Sequence, residues 1–344
     1  MSTSPWYDRG VRAFVCDHCG LLLFFENSLC LRCGTPQGFV PSRLDLATLE
    51  PGSDDERELR RCANAQLAEC NWMLEPGEQG VLCLSCRLTR TRPNDADLAG
   101  LAGFAKTEGA KRRVLAVLMD IGLPVREGEL MFDLLSSTWE PVVTGHADSV
   151  ITIDLAEADD AIRAQRRAEL GEPYRTMVGH IRHELGHYYE SILVDETGAR
   201  DAFRALFGDE REDYSEAMDR HYAQGAPPDW EQGHVSAYAT MHPWEDWAET
   251  FSHYLHIRAT KQTAGAFGIL VTGPPEANDP GLMAVPAVEH GDDSFAEIID
   301  NWLPLTYALN AVNRSMGLQD LYPFILGPKV IGKLSFIHGR VAAL

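Results

Sequence analysis

The 344-residue chain has no run of about 18 consecutive apolar residues, so no helix is expected to span a bilayer. Its opening, Met1-Ser-Thr-Ser-Pro-Trp, offers neither a basic segment nor a long apolar one. Leu21 to Phe25 is too short to replace a secretory signal, and a cytoplasmic location is expected. Basic residues are scarce: 30 Lys and Arg stand against 51 Asp and Glu, for a net charge of −21. A field of that sign repels phosphate backbones and anionic lipid, which argues against a nucleic-acid or membrane partner. Low-complexity tracts are lacking, and with 45% hydrophobic residues there is ample material for a core, so general disorder is excluded. Cysteine is absent after position 86, and all eight lie between Cys16 and Cys86. Without an export signal, metal thiolate sites are a better reading of such a cluster than disulfides.

Lysine is missing from the first 95 residues, which hold ten Arg and thirteen acids and are close to neutral, whereas the rest carries most of the negative charge. The turn-rich stretch Thr91-Arg-Pro-Asn-Asp-Ala-Asp marks the shift, and the expected domains are 1–95 and 96–344. Beyond it, Lys106 to Ile121 has helical spacing, and Leu130 to Leu135, Val142-Val143 and Val150 to Leu155 read as short strands. Ala156 to Leu170 reads as a charged helix, and Tyr174 to Val194 as a longer amphipathic one. Helical segments follow at Ala199 to Phe207, Tyr214 to Ala223 and Pro243 to about Thr263, then a Gly/Pro-rich loop from Thr272 to Asp293. Two helices, about Ser294 to Met316 and Lys329 to Gly339, close the chain. Strands first and helices after predict an α+β domain, a small sheet against a helical body.

Cys16-Asp-His-Cys19 and Cys30-Leu-Arg-Cys33 are two Cys-x-x-Cys turns, each followed by glycine. Two thiolates three positions apart on a tight turn can face one ion, and two such turns complete a closed tetrahedral zinc site. Cys62, Cys70, Cys83 and Cys86 form a looser second set, read as a second structural zinc. The plainer alternative makes Cys62 and Cys70 small core residues on a helix. His18, inside the first turn, is read as an outer or exposed residue because four sulfurs suffice. The run Cys86-Arg87-Leu-Thr-Arg90-Thr-Arg92 lacks interleaved aromatics and is a weak nucleic-acid footprint. Packing or a protein-binding face is the expected use of the ribbon.

His183-Glu184-Leu-Gly-His187 falls inside the longest amphipathic helix of the middle region. Positions i and i+4 share a helix face, so both imidazoles can hold one zinc ion while Glu184 reaches the zinc-bound water as general base. The pattern is expected by chance only roughly 0.03 times at this composition. A catalytic zinc needs a third protein ligand and an open position. Glu190 and Leu193 stand where the metzincin pattern needs Gly and His, which excludes that class. A carboxylate from a later helix is the alternative, and His242-Pro-Trp-Glu245-Asp-Trp-Ala-Glu249 supplies two candidates one turn apart. Tyr238, seven residues before Glu245, is positioned in sequence to donate to the oxyanion of a tetrahedral intermediate.

Residues 183–187 with Glu245 resemble a gluzincin-type zincin, and Tyr238 to Phe251 is similar to the Tyr-plus-Glu segment of anthrax lethal factor and related minimal gluzincins. Nearly end to end, the chain resembles the bacterial family of zinc metallopeptidases with an N-terminal zinc ribbon. Cys16 to Phe39, Arg182 to Tyr189, Phe207 to Arg211 and His242 to His256 carry that resemblance. The resemblance implies a zincin-like domain, Glu245 as third ligand, and Glu249 as hydrogen-bond partner of a ligand imidazole. It also implies a sheet around Val150 to Leu155 that includes an edge strand able to pair with an extended peptide.

His180 shares the helix face of His183 and His187 and is read as a hydrogen-bonding neighbour. Trp244 and Trp247 are read as packing around the site, and His221, Tyr222 and His234 as loop residues near the cleft. The expected protein is thus a zinc-dependent peptidase with one catalytic and one or two structural zinc ions, acting on a peptide or protein substrate. Its rivals are a zinc hydrolase of a non-peptide amide, and an inactive scaffold whose ribbons carry the function.

Overall fold

The computed structural model describes residues 13–49, 58–138, 140–159, 161–163, 176–272, 283–284 and 294–344. Strands β1 (Phe14–Val15) and β2 (Leu22–Leu23) pair antiparallel across the first Cys-x-x-Cys turn. Gly20 closes that turn at φ +70° with its N–H on the Cys16 carbonyl, and Gly34 closes the next at φ +72° on that of Cys30. Both need the left-handed region, which glycine enters without steric cost. β3 (Gln37–Val40) pairs with β4 (Asp45–Thr48), and β5 (Arg60–Arg61) with β6 (Met73–Leu74). Short helix α1 (Leu84–Arg87) carries Cys86 and leads into β7 (Thr89–Thr91).

Helix α2 (Leu98–Asp120) starts earlier than its apolar spacing announced, because the Asp97 side chain caps it by accepting from the Gly100 N–H at 2.8 Å. Its Arg112 donates to the Ala68 and Glu69 carbonyls at 3.0 Å, tying the helix to the loop before Cys70. β8 (Met131–Leu135), β9 (Gly145–Ala147) and β10 (Val150–Asp154) join β7 in a four-stranded sheet of order β7-β8-β10-β9. β10 runs parallel to β8 and antiparallel to β9, and β9 forms an edge.

The expected strand at Val142-Val143 is displaced to β9. Asp148 and Ser149, at φ 47° and 64°, make a two-residue hairpin turn with both central residues left-handed. That turn fixes which residues face β10, and Val143 is left exposed. Of the expected helix Ala156 to Leu170, residues 155–158 form a 3-10 turn and 161–163 are helical, while 164–170 lie outside the described residues.

The chain divides into two compact units, Met1–Arg163 and Ala164–Leu344. The position near 95 where composition shifts falls inside the first unit, because β7, just before it, pairs with β8, well beyond it. The second unit is helical: α3 (Met177–Glu190), α4 (Arg200–Phe207), α5 (Tyr214–Gln224), α6 (Pro243–Ala266), the strand pair β11 (Val271–Thr272) and β12 (Met283–Ala284), then α7 (Phe295–Ser315) and α8 (Pro328–Val341). Small sheets and a helical body make an α+β protein. Among the described residues no helix is long and apolar enough to cross a membrane.

The Thr176 hydroxyl caps α3 by accepting from the Gly179 N–H at 2.9 Å, and a π-helical turn, Ser191–Asp195, prolongs it. His242 caps α6, its Nδ1 accepting from the Trp244 N–H at 3.1 Å, with Pro243 in the first turn. The two helices pack closely through small residues. A Cβ placed on Gly186 would stand 2.8 Å from Ala248 Cα and 3.0 Å from its carbonyl oxygen. Trp247 Nε1–H donates to the Gly186 carbonyl at 2.8 Å, and the Ser252 hydroxyl to that of Gly179 at 3.2 Å. Trp247, Phe251, Tyr189 and Phe203 fill the core behind this seam.

Gly186→Ala is therefore expected to overpack the seam at a cost of about 1–3 kcal/mol. Thermal melting followed by circular dichroism checks this. A midpoint equal to that of the parent would show that α6 yields freely and that the close approach is incidental.

Candidate active site

Because α3 places His183 and His187 four positions apart, their imidazoles emerge on the face that α6 covers, and Glu245 enters from the first turn of α6. His183 Nε2 lies 3.0 Å from Glu245 Oε2, His187 Nε2 lies 3.6 Å from the same oxygen, and the two Nε2 atoms are 3.2 Å apart. All three side chains are buried. Glu249, one turn along α6, accepts from His183 Nδ1–H at 2.7 Å and, through Oε2, from the Ser236 hydroxyl at 2.6 Å. In the tautomer that keeps the proton of His183 on Nδ1, the Nε2 lone pair faces His187 and Glu245.

Three atoms able to hold a metal ion thus converge, all within 4.8 Å of one another. Two imidazoles and one carboxylate form a donor set of the kind that catalytic zinc takes. The residues present fit that ion.

Charge follows the same logic. Burial opposes ionisation of Glu249, but the hydrogen bond to His183 outweighs it and holds the carboxyl down at about 2. For Glu184, burial is outweighed by the hydrogen bond from His180 at 3.3 Å and by the nearby imidazoles, which lower its pKa. Glu184 Oε2 is buried and has no hydrogen-bond partner among the described residues. Tyr238 sits on a 3-10 turn, Tyr238–Thr240, its ring 5.9 Å from that of His183. Burial first, then the Glu245 charge, raises its pKa far enough to keep the hydroxyl a donor.

Other expected residues take distinct places. His242 Nε2–H donates to the Glu212 carbonyl at 3.1 Å while Nδ1 accepts at the α6 cap, so both ring nitrogens are engaged away from His183 and His187. Trp247 is core, and Trp244 lies over the His187 ring at 3.9 Å between centroids. His221 and Tyr222 are on α5 and not in a loop; the His221 ring is 6.1 Å from that of Tyr238. His234 follows a 3-10 turn, and its Nε2 is 3.8 Å from Asp246.

Two side chains escaped sequence reasoning. Ser236 supports Glu249, and the Tyr214 hydroxyl donates to Glu245 Oε1 at 2.9 Å. Tyr214 precedes Glu245 by 31 residues and belongs to no motif, so no local signal pointed to it.

In the first unit, the sulfurs of Cys16, Cys19, Cys30 and Cys33 lie within 4.8 Å of one another, and so do those of Cys62, Cys70, Cys83 and Cys86. None is in a disulfide. Cys62 and Cys70 flank the 3-10 turn Ala63–Ala65 and do not share a helix.

Residues 100–340 match the family described as "putative zinc-binding metallo-peptidase". The chain belongs to this family. Residues 13–97 match a zinc-ribbon domain, so the zinc-binding metallo-peptidase region follows a ribbon. Two proteins of Mycobacterium tuberculosis (strains H37Rv and CDC 1551) and one of Mycobacterium bovis, each named as uncharacterized, are 49% identical to this family member over 335 residues. The alignment covers 95% of this chain and 94% of each relative. No solved structure matches it.

Proposed function

We propose that the protein is a zinc-dependent peptidase of gluzincin type that hydrolyses peptide bonds in the cytoplasm. Its ligands are His183, His187 and Glu245, its general base is Glu184 and its oxyanion donor is Tyr238. The single observation that carries the reading is the convergence of His183 Nε2, His187 Nε2 and Glu245 Oε2, with Glu184 Oε2 on the same helix buried and without a hydrogen-bond partner among the described residues. Zinc, when bound, supplies a Lewis acid that acidifies water and polarises a carbonyl.

The chain's own groups do the rest. Glu184 takes the proton of the attacking water and passes it to the departing amine nitrogen. Tyr238 donates its hydroxyl proton as a hydrogen bond to the developing oxyanion. Glu249 holds His183 in the tautomer that presents Nε2. Trp244, lying over His187, packs against that ring and holds its orientation. In the ribbon, the two four-sulfur clusters hold structural zinc, and eight unpaired thiols suit a reducing cytoplasm.

The test couples metal content with turnover. Three zinc ions per chain are expected, one of which leaves under mild chelation because its coordination is open, while the thiolate-held pair resists. Hydrolysis of a proteome-derived peptide library should stop when that ion leaves and return when zinc is restored. A zinc-loaded chain that cleaves no peptide but hydrolyses other amides would move the assignment to a non-peptide amidase. A chain with a single zinc would overturn the two-cluster ribbon.

A further inference from the structure

The two oxygens of Glu245 face different neighbours. Oε2 points to the imidazoles, 3.0 Å from His183 Nε2 and 3.6 Å from His187 Nε2. Oε1 accepts the hydroxyl proton of Tyr214 at 2.9 Å. A carboxylate can give a metal ion one oxygen or two, and the choice decides how many positions are left for reactants.

We propose that Tyr214 is a positioning residue that restricts Glu245 to ligation through Oε2, keeping the fourth position of the ion open; this rests on the zinc reading of the site. With Oε1 committed to an O–H donor, a second metal–oxygen contact would require that hydrogen bond to break in a partly buried site. Such bonds to a charged acceptor are the strong ones.

The placement of Tyr214 fits the task. It is the first residue of α5, whose start is fixed by the Asp213 side chain accepting from the Glu216 N–H at 2.9 Å. Its ring stands edge-on to His242 at 5.4 Å and to Trp244 at 5.8 Å, so the cap of α6 and the aromatic over His187 both steady the hydroxyl. Tyr238, the oxyanion donor of the proposed mechanism, is a hydrogen-bonding neighbour of the Tyr214 hydroxyl, so the test reads the coordination of the ion and not turnover.

Tyr214→Phe removes the hydroxyl and leaves the ring in its packing. The experiment uses the full chain with its thiolate sites zinc-loaded. The labile ion is withdrawn by mild chelation and replaced with cobalt(II), and the absence of sulfur-to-cobalt charge-transfer bands certifies that the ribbon was not exchanged. Four-coordinate cobalt absorbs visible light more strongly than five-coordinate cobalt. The parent is expected to show the intense band, and Tyr214→Phe a weaker one as Oε1 joins the ion, with the forms lacking only the labile ion melting together. An unchanged band would overturn the inference. So would an unchanged band with a lower melting temperature of the variant lacking only the labile ion, which would make Tyr214 a packing residue. If the parent itself takes up no cobalt outside the thiolate sites, the zinc reading falls first, and the positioning role falls with it.

Discussion

Glu184→Gln is expected to keep its zinc and to lose turnover by about 10²- to 10⁴-fold, the usual worth of a positioned general base. The substitution preserves volume and leaves a hydrogen-bonding amide beside His180, which lies 3.3 Å from the carboxylate. What it removes is a basic oxygen. Glu184 Oε2 is buried with no hydrogen-bond partner among the described residues, and the neighbouring imidazoles keep the carboxyl ionised against the pull of burial. A buried acceptor without a partner is costly to maintain, and in the proposed mechanism this oxygen receives a proton that arrives only during reaction. The measurement is kcat on the best library peptide alongside zinc content. A variant that turns over at the parental rate would remove Glu184 from the mechanism. A variant that loses zinc as well would make it a structural support of the site.

The histidine pair was legible because a helix converts a four-residue interval into a shared face, and the apolar spacing of Tyr174 to Val194 announces a helix there. The same holds for Cys16, Cys19, Cys30 and Cys33, where tight turns make the geometry local. Legibility fades where contact depends on packing between elements distant in sequence. Glu245 and Glu249 are one helical turn apart and equivalent by spacing; only the placement of α6 against α3 puts one at Nε2 of His183 and the other at Nδ1. Tyr214 and Ser236 come from two further segments, and nothing in their neighbourhoods marks them. Cys62 and Cys70 are eight apart with a 3-10 turn between them, a spacing that no single regular element turns into a site. The sheet shows the same rule in miniature. Val142 and Val143 have the better strand composition, yet the left-handed pair Asp148 and Ser149 sets the hairpin and gives the edge to Gly145–Ala147.

Removing each of the two carboxylates of α6 in turn is expected to separate two roles that spacing alone leaves equivalent. Glu245→Ala should abolish tight zinc binding at the histidine pair, since it deletes an oxygen 3.0 Å from His183 Nε2 and leaves two imidazoles to hold the ion. Glu249→Ala should weaken binding only about 10- to 100-fold, the usual effect of losing a partner behind a metal ligand. The reason lies in which nitrogen each residue meets. Glu249 Oε1 is 2.7 Å from Nδ1, the nitrogen on the far side of the ring from His187, so it can orient His183 but does not share the convergence point. Without Glu249, His183 can place its proton on either nitrogen, and part of the population presents N–H where a lone pair is needed. Ser236 would lose its acceptor at the same time, loosening the turn before Tyr238. Both affinities are to be measured with the thiolate sites kept saturated. If Glu249→Ala loses the ion and Glu245→Ala keeps it, the imidazole of His183 is flipped in the loaded protein and the two carboxylates exchange roles. If both variants keep the ion, neither carboxylate is the third ligand and the gluzincin reading fails, while the histidine pair still stands as the metal site.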